Sequence, residues 1–227
     1  MNPKKATNKL LYFFRELTIV VIGIFIAFQL NNYNENKKIK DAEIRSLHRL
    51  LSDLETEKRF LKQYKHTFQK KRQKLKAIVY DRDRSNLDSL HFYLAHEYVH
   101  YDFNTEYSTL KFGGDLSLIS NDTLRYNLVK YYEQGYAYSK EISENHKNYV
   151  EDHLLITLDD IPIDTARLFD PLLIEKKLND QKFIETIKTQ ITWYGANLRA
   201  IKLNRVESLL KAVKKELETN ANKYPHR

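Results

Sequence analysis

The chain contains no cysteine. Disulfide frameworks, thiolate catalysis and cysteine-ligated zinc are therefore excluded, whichever side of a membrane the protein occupies. Glycine and proline are nearly as scarce, with five glycines (23, 113, 114, 135, 195) and four prolines (3, 162, 171, 225) in 227 residues. Turn-rich sandwiches and barrels need far more of both, because tight turns require a positive or a pre-set φ. There is also no phosphate-binding glycine loop, no dinucleotide-binding glycine pattern and no nucleophile elbow. What remains suits long helices. An apolar share of 42% is enough for a core, and 30% charged residues cover its exterior. The expected fold is all-α, with one N-terminal transmembrane helix followed by a long-helix, bundle-like soluble body. The net charge is +8, of which +2 falls in residues 1–35 and +6 in the rest. That mild excess suits an anionic lipid surface and is too diffuse for nucleic-acid binding.

One segment stands apart. LTIVVIGIFIAFQL (17–30) carries no charge, and Leu17, Ile19, Val20, Val21, Ile22, Gly23, Ile24, Phe25, Ile26, Phe28 and Leu30 are its apolar members. Fourteen residues alone do not span a bilayer; about 20 are needed for a core of ~30 Å. Extending back to Leu10 gives 21 residues, with Arg15 and Glu16 within the first two turns, where an arginine snorkels to the headgroups. Tyr12 and Tyr33 then fall at the two interfaces. No small-residue cleavage site follows the run, as a signal peptide would require, and Ile19 to Ile26 is apolar on every face, unlike a soluble core helix. The division expected is a basic tail (1–9), an anchor (10–32), a long amphipathic helix (36–80), the remaining helices (81–220) and a solvated tail (221–227). Lys/Arg counts on the two flanks tie at four each. The basic tail before an uncleaved apolar run is the signal-anchor layout, which places the N-terminus in the cytoplasm and the body in the periplasm, at a bacterial inner membrane.

The stretch RELTIVVIGIFIAFQLNNYNENKK (15–38) resembles the opening of an uncharacterised family of Bacteroidetes-type single-pass membrane proteins, a domain of unknown function. Glu16, Gly23, Ala27, Gln29, Asn31, Asn32, Asn34 and Glu35 match its pattern; Tyr33 replaces the usual Trp and Arg15 the usual Gly. A second stretch, 107–133, is similar to another family segment through Gly114, Leu116, Ile119 and Asn121, with Gly113 where Ser is usual. The resemblance covers the first half of the chain and implies topology, without chemistry.

Leu47, Leu54, Leu61, Phe68 and Leu75 recur every seven residues, while the positions three further on are Leu50, Glu57, Tyr64, Lys71 and Ile78. One apolar series and one broken series predict a long amphipathic helix, serving either an intramolecular bundle or a coiled coil between copies. Lys58, Arg59, Lys62, Lys65, Lys70, Lys71, Arg72, Lys74 and Lys76 form a basic face with no acid between them. This reads as a solvated face or as a polyanion-binding patch. Downstream, a short helix is expected at about 87–99. A second starts at Asn121 or Asp122 with an inner face of Leu124, Leu128, Tyr131, Gly135, Tyr138, Ile142 and Tyr149. Residues 158–172 read as an irregular connector, and a final helix runs from Asn179-Asp180 to about Glu218, kinked between Ile201 and Val206.

His96-Glu97-Tyr98-Val99-His100 satisfies H-E-x-x-H. On a helix, histidines at i and i+4 share a face and ligate zinc while the glutamate acts on the bound water. The extended third-histidine form is absent, the expected helix is short, and nothing predicts the sheet that shapes a zincin cleft. Chance match, a structural metal site including His91, and a membrane-tethered zinc peptidase all remain open. The expectation is an interaction or scaffolding protein, with no catalysis and no cofactor. Its partners would be membrane lipid and another protein or a second copy, with no nucleic acid; an envelope polyanion binder is the further alternative.

Overall fold

The computed structural model describes residues 3–97, 99–166 and 168–223, without the side chains of 3–14 and 223. The described residues are helical, with one isolated antiparallel bridge, Ile163 to Phe169, in place of any strand. Two compact units divide the chain, residues 1–46 and 47–227.

The first unit consists of the opening part of helix α1 (Pro3–Tyr80). Among its described side chains, Ile19, Ile24, Phe25, Phe28 and Leu30 are each at least 60% exposed, on all sides of the helix. It is the one helix among the described residues long and apolar enough to cross a membrane. The expected anchor (10–32) and amphipathic helix (36–80) are stretches of this single helix, because no proline or glycine falls between Gly23 and Tyr80 to end it. The expected basic tail, Tyr12 and most of the C-terminal tail fall on side chains or residues outside those described.

The second unit is built on the remainder of α1. Leu47, Leu54, Phe68 and Leu75 are fully buried and Leu61 nearly so, all in one core cluster. The companion series is buried as well: Leu50, Glu57, Lys71 and Ile78 are no more than 2% exposed, and Tyr64 is half-buried. The seam is thus taken up inside the unit and is not free to zip against another copy. Arg82, in the left-handed region at φ 54°, turns the chain out of α1.

The second unit continues with α2 (Leu90–Leu94), α3 (Thr105–Phe112), α4 (Asp122–Val129), α5 (Tyr136–Tyr149), α6 (Leu155–Leu158), α7 (Pro171–Lys177), α8 (Gln181–Ala200) and α9 (Leu203–Lys223). Side-chain caps open three of them: Asn121 accepts from Leu124 N–H at 3.0 Å, Asp170 from Leu172 N–H at 2.9 Å, and Asp180 from Lys182 N–H at 2.9 Å.

Three expectations need correction. The helix expected to 99 ends at Leu94, and residues 95–97 and 99–100 are irregular. The final helix is two helices: Ile201 leaves helical geometry at ψ 104°, so the register shift between Ile201 and Val206 marks a break. The inner face of 122–158 also changes. Wide π turns at Lys130–Gly135 and Val150–Leu154 each accommodate extra chain, so the buried stripe moves to Tyr132, Tyr136, Ser139, Ser143, His146 and Val150. Tyr138 is left 40% exposed.

Candidate functional site

The H-E-x-x-H residues do not converge. With no helix under them, the i, i+4 geometry that would make them chelate is missing. The His96 ring lies 5.6 Å from the Phe68 ring, and burial beside Lys71 pushes its pKa down to about 4. Glu97 sits in the field of Glu151 and Lys147. His100 packs edge-on against Tyr136 at 4.7 Å, with Nε2 3.1 Å from an Asp102 carboxylate oxygen, and its backbone N–H donates to Ser143 Oγ. Tyr98 lies outside the described residues. Among the described residues no group of three or more His, Asp or Glu side chains is placed to hold a metal.

The polar chemistry collects instead in three places along the buried faces of α1, α5 and α8. The first is centred on Glu57, which stands where the heptad calls for an apolar residue and is 2% exposed. Tyr131 donates its hydroxyl to Glu57 Oε1, and the Tyr136 hydroxyl also faces the carboxyl while accepting from Phe103 N–H at 3.1 Å. Tyr132 packs edge-on to both rings and stacks on Tyr107 at 4.6 Å. Among the described residues no cation pairs with Glu57: Arg49 approaches Glu106, at 3.4 Å. Burial raises the Glu57 pKa to about 7, with Asp53 and Asp102 adding to the rise against the tyrosine hydrogen bonds. Glu57 in turn helps hold the Tyr131 and Tyr136 hydroxyls well above the ordinary phenol range, behind burial as the main cause. The adjoining cavity, of about 10 Å³, is bounded by Glu57, Phe60, His100, Tyr136 and Lys202. That is room for about one water. The group can store a proton near neutral pH.

The second place is His146, fully buried against Trp193 at 5.5 Å. Asn197 Nδ2 donates to Nδ1 at 2.7 Å, so Nε2 carries the hydrogen and donates to Gln190 Oε1 at 3.0 Å. Gln190 Nε2 passes the chain on to the carbonyls of Leu94 (2.7 Å) and His96 (3.1 Å), and Tyr194 donates to Tyr93 and His96 carbonyls. Burial holds the imidazole neutral, with a pKa of about 4. This network satisfies the carbonyls of Tyr93 and Leu94, at the end of α2, and of His96 just beyond it.

The third place is Lys71. It belongs to the expected basic face but is 2% exposed, with Nζ donating to the Phe92 carbonyl at 2.5 Å and lying 3.7 Å from the Phe92 ring centroid. Burial lowers its pKa to about 8. Arg72 also turns inward, donating Nε to the Ile191 carbonyl at 3.2 Å over Gly195, and Lys58 pairs with Glu207 at 3.2 Å. Arg59, Lys62, Lys70 and Lys76 stay exposed, while Lys65 and Lys74 are half-buried. The basic face is therefore thinner than its sequence suggests.

Glu57 and Lys71 escaped the sequence reading because each was counted as an interruption of the companion heptad series. The signal lay in their register: a charge on the inward stripe has to be met by partners. His146, Gln190 and Asn197 left no such signal, since the π turns displaced the face on which His146 lies. Comparison of the chain with protein-family models, curated proteins and solved structures finds no match.

Proposed function

We propose that the protein is a single-pass, membrane-anchored helical scaffold or interaction protein. Its N-terminus lies in the cytoplasm and its body in the periplasm, the layout of a basic tail before an uncleaved apolar run. One observation carries the reading: between Leu17 and Leu30 the apolar side chains of α1 are exposed on every side of the helix, 47% to 65% each. In water that surface is unfavourable by about 25 cal/mol per Å², and lipid tails remove the penalty. The body adds support of a different kind. Its polar groups are spent on holding loops and helices together, its inward seam is filled, and the cavity beside its most perturbed carboxyl admits only a water. Such a body suits holding a shape near a membrane better than turning over a substrate.

Fractionation with alkaline carbonate extraction tests the anchor. The full-length protein is expected in the membrane pellet, and replacing Ile22 and Phe25 by aspartate is expected to release it. Recovery of the unaltered protein in the carbonate supernatant refutes the reading. A C-terminal alkaline phosphatase fusion tests the side; activity is expected, and an inactive phosphatase with a fluorescent C-terminal GFP puts the body in the cytoplasm.

A further inference from the structure

Lys71 is a buried cation of the core for which the described residues provide no counter-charge. Its ammonium has three hydrogens, and Phe92 engages it through its carbonyl oxygen and its ring face. Burial is what lowers its pKa, to about 8. A buried unpaired charge is costly unless something pairs it. Beside it lies a groove of about 420 Å³, lined by Lys71, Ser89, His91, Phe92, Tyr93 and His96. That volume falls within the range of small-molecule sites, and the mix of rings with a few polar groups is the usual composition of one. The Ser89 hydroxyl and backbone N–H are already turned to Asp88, and among the described residues Lys71 is the lysine that lines the groove.

We propose that this groove binds a small organic carboxylate, with Lys71 Nζ pairing the carboxylate and the Phe92 and Tyr93 rings covering an apolar or aromatic body. A monoanion is the match for one ammonium. The His96 imidazole, which burial beside Lys71 holds neutral, adds no positive charge of its own.

Calorimetric titration of the full-length protein in detergent, against empty micelles, is the test. Benzoate serves as the probe, benzamide as its uncharged isostere, and inorganic phosphate as the competing anion. Benzoate is expected to bind at least about tenfold more tightly than benzamide, the scale of one charge-assisted hydrogen bond. Its affinity is expected to fall with rising pH once the Lys71 ammonium deprotonates, while benzamide binding stays flat. Lys71→Met keeps the aliphatic stem and is expected to erase the benzoate preference. If that variant does not fold, the ligand comparison and the pH profile in the unaltered protein decide the matter alone. Equal binding of benzoate and benzamide, no binding of either, or a preference for phosphate each overturns the proposal.

Discussion

Glu57→Gln isolates the energetic consequence of a carboxyl buried among tyrosines. In the unfolded chain this group titrates at 4.5, and in the folded protein burial raises it to about 7. The stabilising form is the protonated one. Its contribution is intact below pH 4.5 and is lost as pH rises through 7, because the unfolded chain releases the proton more readily than the native state. Between pH 5 and pH 8 the difference works out to about 2.5 kcal/mol, with each tenfold gap in proton affinity between the folded and unfolded chains contributing about 1.4 kcal/mol. Glutamine keeps the shape and the acceptor oxygen but does not ionise. The two proteins should therefore unfold at nearly the same denaturant concentration at pH 5, and the variant should be the more stable by about 2–3 kcal/mol at pH 8. His96 and His146, both lowered to about 4, act in the opposite direction: they favour the native state above pH 6.5 and weaken it as pH falls toward 4. They are common to both proteins and cancel in the difference. Guanidinium titration in detergent serves as the assay, followed by the fluorescence of Trp193, the only tryptophan. A stability difference that does not change between pH 5 and pH 8 refutes the assignment of a neutral buried Glu57.

Two further outcomes follow from the packing. Asn197→Ala leaves Nδ1 of the buried His146 without its donor and should cost about 1–3 kcal/mol, the range for an orphaned buried polar group; hydrogen exchange should rise first in residues 93–97, around the carbonyls of Leu94 and His96 that the network serves, and unchanged exchange there argues against that role. Phe68→Ala should cost about 3–5 kcal/mol in the same denaturation assay, while sedimentation in detergent shows no change of oligomeric state, since the seam faces the protein's own core; a change in assembly contradicts the intramolecular reading.

The sequence made the helical class and the apolar span legible because both rest on averages: scarce glycine and proline, and a run with no charge. Single positions were harder. Glu57 and Lys71 look like breaks in a heptad until the tyrosines of another helix and the Phe92 carbonyl are known to reach them. No local pattern announces those partners, which lie 74 and 21 residues away. His96 and His100 fit a metal-binding spelling that depends on a helix, yet α2 stops at Leu94 and the peptide beyond it is held by Gln190 and Tyr194 from the far end of the chain. The stripe through Tyr138 failed for a third reason. A steady 3.6-residue period was assumed across a stretch that contains two wider turns.

Those wider turns make residues 122–158 behave like a crankshaft. Along such a rod, adding or removing one residue changes orientation more than length, by about 100° for a shift of about 1.5 Å. Trimming a single residue from 130–135 would swing Ser139, Ser143 and His146 together away from the loop and helix they now serve, while Leu124 and Leu128 stayed seated. The surplus residue in that turn is thus an alignment device, setting where half a helix aims its side chains.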